Sequence, residues 1–445
     1  MSPRLETLRE CLEGTIPGHI ATCDDEGMPN LAYLSQVQFI DNEHVALSYQ
    51  FFNRTRQNIL AGSPVRLLLT SHLSGAQYRL NLHYLRTETN GPLFEQMKAK
   101  LAGIASHTGM SGVFQLLGAD IYRVLAIEQV PGATLAPPPA PVNYLTALRR
   151  ATQRLAGCGN LECLLETALL CLGTEFHIEH VMLLMHDEGR GRLYTLASRG
   201  YPESGIGSEI ALGAGVIGIC ARERTPIRIG FMTSEYTYGR SVRASIAADG
   251  GGDALESAIP LPGLPEARSQ LAVPIGVFER LLGVLYVESV NDLHFGYDDE
   301  DALVAFAAQL GLAINHHQQT AEQEDEMPGA EGAARPVAGP PLVIRHFAAN
   351  DSIFLDDDYL IKGVAGAILW ALLTDFTERR RTCFTNKGLR VDPRIRLPGV
   401  SDNLEARLIL LQRRLAERAA GIHLAKTSRG RFSLAVDRPL QLVEG

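Results

Sequence analysis

The sequence has no apolar run long enough to cross a bilayer, which takes about 20 residues. Its longest candidate, Gly363 to Leu373, is soon followed by Glu378-Arg379-Arg380-Arg381 and reads as a buried helix. The first residues, Met1 to Gly14, alternate charge with leucine and lack the apolar stretch of a secretory signal. Cysteine is scarce and scattered: 7 in 445 residues, with no CxxC pair. That excludes a disulfide framework and implies a reducing compartment, expected to be the cytoplasm. GxxxxGK[ST], HExxH and GxSxG are all missing, so no ATPase loop, zinc protease or hydrolase elbow is expected.

What is present suits a folded chain of about three domains. The net charge of -9 argues against a protein coated in nucleic acid, but the charge is unevenly placed. Residues 341–445 hold 17 Lys+Arg against 12 Asp+Glu, whereas the rest holds 24 against 38. A polyanion would therefore meet the C-terminus. Two stretches read as linkers. Pro131 to Pro141 has five prolines among small residues, and Gln318 to Pro341 runs from acidic to Pro/Gly/Ala-rich. The expected division is residues 1–130, 144–318 and 342–445, with linkers at 131–143 and 319–341.

The first segment is a series of short strand-like runs, which predicts a meandering antiparallel sheet closing as a small barrel. A helix over Phe94 to Ser106 is expected to pack on it. Gly18-His-Ile-Ala-Thr with its Asp-Glu-Gly turn, Leu47-Ser48-Tyr49, Asn53 to Leu60 and Ser63 to Leu69 resemble the pyridoxamine-phosphate-oxidase-like split barrels. That resemblance implies FMN as cofactor, its phosphate held by Ser48, Tyr49, Asn53, Arg54, Thr55 and Arg56. Arginine forks and hydroxyls close together suit a phosphate. Where catalytic members carry a strand with two basic residues, Leu31 to Phe39 has none, so no catalytic residue is assigned.

The middle segment predicts helices at Tyr144 to Cys158 and Leu161 to Leu172. Strands follow at Val181 to His186, Arg192 to Ala197, Leu271 to Val277 and Leu281 to Glu288. A closing helix over Asp298 to His316 is expected to be capped by Asp298. Leu212-Gly-Ala-Gly-Val-Ile-Gly218, Leu271-Ala-Val-Pro-Ile275, Gly283-Val-Leu-Tyr-Val-Glu288 and Phe295-Gly-Tyr-Asp-Asp-Glu-Asp301 resemble a GAF domain. The resemblance implies a small-molecule pocket. The insertion Phe231 to Ser269 would cover it, with Tyr236, Tyr238, Arg240 and Arg243 against the ligand. GxGxxG at Gly213 to Gly218 lies too deep in the domain for a dinucleotide turn and is read as structural. His177, His180, His186 and Cys171 lack the spacing of a metal set, and no metal is expected.

The last segment predicts strands at Ser352 to Leu355 and Tyr359 to Leu360, and an apolar helix from Val364 to Phe376. A short helix at Thr385 to Leu389 precedes a longer one capped by Asp402 with Glu405 in a capping box. In the longer helix Leu404, Leu408, Leu411 and Leu415 form one stripe and Arg407, Arg414 and Arg418 another. A basic-tipped hairpin, Ile422 to Val436, ends the run. This order resembles the winged-helix output domain of bacterial response regulators. The resemblance implies DNA contacts from Arg407, Arg413, Arg414 and Arg418 on the helix, and from Lys426, Arg429 and Arg431 on the wing.

The expected fold is thus multi-domain α+β: split barrel, GAF domain, winged helix. The expected function is a dimeric, ligand- or redox-responsive transcription regulator that binds DNA. Its rivals are an FMN-dependent oxidoreductase with a regulatory GAF domain, and a non-catalytic signalling scaffold.

Overall fold

A computed structural model of the chain describes residues 3–51, 53–107, 115–136, 142–231, 259–323, 340–395, 397, 403–428 and 430–445. A 3-10 helix, Leu5–Leu12, precedes β1 (Gly18–Cys23), β2 (Pro29–Leu34), β3 (Val37–Phe39) and β4 (His44–Tyr49). Then come α1 (Arg54–Leu60), β5 (Val65–Thr70), β6 (Gln77–Glu88), α2 (Pro92–His107) and β7 (Gly118–Val130). The strands form one antiparallel sheet in the order β2-β1-β5-β6-β7-β4-β3. Its two edge strands, β2 and β3, are separated in the chain by Ser35 and Gln36 alone. Both edges therefore lie side by side, and the sheet must curl. Val65, Leu67 and Leu69 alternate into its core with Ile20, Val45, Leu47 and Leu80.

The middle segment contains α3 (Tyr144–Ala156), α4 (Leu161–Thr174), β8 (His180–Asp187), β9 (Arg192–Arg199) and β10 (Glu209–Ala211). These lead to α5 (Gly215–Glu223), β11 (Ile227–Ile229), β12 (Ser269–Val277), β13 (Arg280–Ser289) and α6 (Tyr297–Gln323). The sheet order is β10-β9-β8-β13-β12-β11. Leu285 and Val287 of β13 pack with residues of α3, α4 and α6 on one face. Val284 and Tyr286 pack with α5 on the other. A strand covered on both faces needs an almost unbroken apolar run, which 281–287 supplies.

The last segment contains β14 (Leu342–Phe347), β15 (Ser352–Leu355), β16 (Asp358–Ile361), α7 (Val364–Arg379), β17 (Cys383–Thr385) and α8 (Asn386–Val391). After these come α9 (Leu404–Glu417), β18 (Ile422–Ser428), β19 (Arg431–Val436) and β20 (Leu440–Glu444). Two sheets result, β16-β15-β14-β20 and β17-β19-β18. Strands β14 and β20, not among the expected strands, pair in parallel from opposite ends of the segment. The cap of α9 is Asn403, whose side chain accepts from Ala406 N at 3.0 Å. Asp402, the expected cap, lies outside the described residues.

The three segments share packing. The α2 helix, expected to cover the barrel, also lies against the middle segment. Ala99 joins the α5–β13 core, and Gln96 Nε2 donates to Thr225 Oγ1 at 2.7 Å. A Cβ on Gly103 would stand 2.5 Å from Phe231 O, so only glycine allows this approach.

Beside α2 lies a buried charge cluster. Arg228 Nη1 donates to Glu13 at 2.6 Å and its Nε to Glu300 at 2.7 Å. Its guanidinium lies 4.4 Å from the centroid of the Tyr297 ring. Lys100 donates to Leu12 O at 2.7 Å and sits 3.6 Å from Glu13. Burial pushes the Lys100 ammonium down to about 8. Asp298, expected to cap α6, instead pairs with Arg9 at 2.8 Å within the first helical turn.

Arg228→Met takes the guanidinium from Glu13, which keeps Lys100 at 3.6 Å, and from Glu300, and is expected to destabilise the fold by about 3–5 kcal/mol. Burial alone would raise the Glu13 carboxyl, but Arg228 and Lys100 outweigh it and hold the group below its ordinary 4.5. Its contribution is therefore complete above pH 4.5 and lost as pH falls through the depressed value. Melting curves of the parent and Glu13→Gln should converge below pH 4.5; a constant gap would contradict this.

Candidate functional site

The curled sheet holds a cavity of about 100 Å³ lined by Ser48, Tyr49, Gln50, Asn53, Thr55, Arg56, Asp120 and Tyr122, among others. Five of the six residues expected to hold a flavin phosphate meet there; Arg54 is exposed and is not part of the lining. Their chemistry is partly engaged by the protein itself. Asn53 Oδ1 accepts from Arg56 N at 3.0 Å and so caps α1. Arg56 Nη1 pairs with Asp120, and its Nη2 donates to Thr87 at 2.8 Å. Thr87 in turn donates to Asp120 at 2.6 Å. Asp120 is 4% exposed. Burial lifts its carboxyl above the ordinary value against the pull of Thr87 and Arg56. The only guanidinium in the described lining is thus already matched by a carboxylate. The cavity suits an aromatic ring, with Tyr49 and Tyr122 on its wall, better than a phosphate dianion.

The second cavity lies between β12, β13 and α5. It is lined by Ile210, Ala214, Val216, Ile217, Leu261, Pro262, Gly263, Gln270, Tyr286 and Glu288. Strand alternation puts Tyr286 and Glu288 on one face, and the register sets Gln270 opposite Glu288. Glu288 is 2% exposed. It accepts from Leu264 N at 2.7 Å, Tyr286 OH at 3.0 Å and Gln270 Nε2 at 3.4 Å. Burial, together with Glu288 nearby, raises the Tyr201 phenol. The described lining is one carboxylate, one phenol and one amide among apolar groups. Sequence reasoning passed over Gln270, Tyr286 and Glu288. The available signal was a carboxylate ending an otherwise apolar run on a doubly covered strand. The expected ligand residues Tyr236, Tyr238, Arg240 and Arg243 lie outside the described residues.

The glycine motif is structural. Gly213 N donates to Gly218 O at 2.7 Å, and a Cβ on Gly218 would stand 2.4 Å from Ala211 O. The motif closes the turn into α5. Among the described residues no His/Cys/Asp/Glu group is placed to hold a metal. His180 instead meets Tyr201 edge to face, and His186 lies half-buried with its pKa lowered by burial.

The arginines of α9 do not form the expected solvent-facing stripe. Arg407 is 4% exposed. It pairs with Asp187 at 2.9 Å, its guanidinium 4.4 Å from the centre of the Tyr194 ring. Arg413 donates to Leu196 O at 2.9 Å and lies 4.0 Å from Glu166. Arg414 donates to Leu360 O at 3.1 Å and to Glu417 at 2.8 Å. Helical spacing sets Arg407 and Arg414 on one face, but Arg407 meets β8 and β9, Arg413 meets β9 and α4, and Arg414 meets β16 rather than water. Arg418 alone of the four is exposed. On the hairpin Lys426 is exposed and pairs with Glu405 at 2.6 Å, and Arg431 is half-buried. Arg429 lies outside the described residues.

Residues 160–314 match the GAF domain family, and this part of the chain is a GAF domain. No curated protein matches the chain. Among solved structures, the GAF domain of Acinetobacter phosphoenolpyruvate-protein phosphotransferase is 22% identical with a TM-score of 0.32, over 39% of this chain and 94% of that one. Free methionine-R-sulfoxide reductase from Neisseria meningitidis, in complex with its substrate, is 19% identical with a TM-score of 0.30, over 40% and 91%. An FMN-binding protein from Syntrophomonas wolfei is 16% identical with a TM-score of 0.24, over 29% and 86%. Among the described residues no helix is long and apolar enough to cross a membrane.

Arg56→Met leaves Asp120 buried without its counter-charge and should cost about 3–5 kcal/mol in chemical denaturation. Arg56→Met combined with Asp120→Leu removes both charges and should recover most of that loss. A double variant as weak as the single one would show that the pair is not the source.

Proposed function

We propose that this chain is a ligand-responsive regulator in which the GAF domain binds a small molecule and the C-terminal segment binds DNA as a winged helix. The observation that carries the reading is the seating of α9 on the GAF domain. Ile210 of β10 lines the GAF pocket, and the preceding residue, Glu209, pairs with Lys362 of the C-terminal segment at 3.5 Å. A sensor pocket and a basic output segment thus adjoin one three-residue strand. A carboxylate floor with apolar walls suits a small apolar ligand bearing a cationic or hydrogen-donating head. The net positive charge of residues 341–445 and the exposed Lys426 support a polyanion partner.

A second reading places a flavin in the barrel. It is favoured by the convergence of Ser48, Tyr49, Asn53, Thr55 and Arg56 on one cavity. The absorption spectrum of the freshly purified chain decides it: flavin bands support it, and a featureless visible spectrum removes it.

A thermal-shift screen of small primary amines with apolar tails should yield stabilising compounds. Glu288→Gln should abolish their effect, while costing the free protein only about 1–3 kcal/mol. Stabilisation unchanged in that variant would move the ligand elsewhere. For the output, Lys426→Glu should weaken binding to a random-sequence duplex and lower the salt dependence by about one unit of slope.

A further inference from the structure

We infer that the GAF domain holds the C-terminal segment closed by sequestering α9, so that DNA reading requires α9 to leave the GAF surface. This rests on the proposed reading of that segment as a DNA-binding winged helix. A helix entering the major groove must offer one face to the base edges. Between Leu404 and Leu415 no residue of α9 is exposed.

One side of the helix is filled by its own core, through Leu404, Leu411 and Leu415. Two further sides, one carrying Arg407 and one carrying Arg413, are taken by the GAF domain through the Asp187–Arg407 pair, the Tyr194 ring under Arg407, and the Arg413 contact to Leu196 O. Ser204 closes the far end by donating to Glu417. What remains is a cleft between the start of α4 and the hairpin, lined by Asn160, Glu162, Leu408 and Lys426 among others. Its two carboxylates, Glu162 and Glu405, are matched by two cations, Lys426 and Arg431, so the cleft offers no net positive charge to a phosphate backbone.

The closed arrangement also has a physical link to the sensor. Glu209 of β10 receives Arg190 at 3.1 Å and Lys362 at 3.5 Å, while its neighbour Ile210 lines the pocket. A ligand that shifts β10 acts on both sides of the strand, which gives the two states different ligand affinities.

Two variants of the full-length chain test the closure. Asp187→Asn removes the buried counter-charge of Arg407. Glu166→Arg, on an exposed side chain beside Arg413, sets like charges across the contact without touching the core. Hydrogen exchange of 404–417 reports release of the helix, and binding of a random-sequence DNA duplex reports its use. We expect faster exchange in both variants and about tenfold tighter duplex binding. Unchanged exchange in both overturns the inference, because these contacts would then not hold the helix. Faster exchange with duplex affinity equal to the parent also overturns it, with DNA then bound by surfaces outside α9. Faster exchange with no duplex binding by parent or variants removes the DNA-binding reading itself. Circular dichroism of Glu166→Arg separates release from unfolding.

Discussion

A guanidinium taken out of water needs a counter-charge, and among the described residues three arginines meet that requirement in the same way. Arg56, Arg228 and Arg407 are each less than a tenth exposed. Each pairs with a buried carboxylate, Asp120, Glu13 or Asp187. Each also lies 4.4 Å from the centre of a tyrosine ring, of Tyr49, Tyr297 or Tyr194. The ring offers its negative face, and the carboxylate completes the charge. One set lies in the barrel cavity, one joins barrel to GAF domain, and one joins GAF domain to α9. Such sets add little net stability over apolar packing, but they are costly to leave half-made. They therefore specify which surfaces meet.

That division explains what was legible in the sequence. Strands β8, β9, β12 and β13 and helices α3 and α4 were readable because local periodicity encodes them. The partners of the buried arginines were not. Arg228 and Glu13 are separated by 215 residues, and Arg413 and Leu196 by 217. Spacing shows that Arg407 and Arg414 share a helical face, but a helix pattern carries no record of what that face touches. Similarly, Pro92–His107 reads as a helix, yet its second packing partner shows only in the fold, at Ala99, at the Gln96–Thr225 bond and at the 2.5 Å clearance of Gly103. The cap of α9 moved from Asp402 to Asn403 because both residue types accept from the first turn.

The two cavities differ in how their polar groups are used. In the barrel, Arg56, Thr87 and Asp120 satisfy one another, and the charge is neutralised inside the protein. In the GAF domain, Glu288 gathers three neutral donors from a backbone amide, a phenol and an amide. Neutral donors stabilise a carboxylate without cancelling its charge. Asp120 in the barrel is thus held by a guanidinium, whereas the donors named on Glu288 are neutral groups.

The same reasoning bears on how a signal would travel. A coupling needs an element with two arrangements that both sites bias. Strand β10 is three residues long, sits at the edge of its sheet, and pairs only with β9. Few backbone bonds hold it, so it belongs to the part of the sheet that moves at least cost. Its Ile210 faces the pocket, and Glu209 faces Arg190 and Lys362. The central strands β8 and β13 are covered on both faces and cannot shift without opening two cores. A ligand that moved the edge strand β10 would act on the pocket through Ile210 and on the C-terminal segment through the Glu209–Lys362 pair.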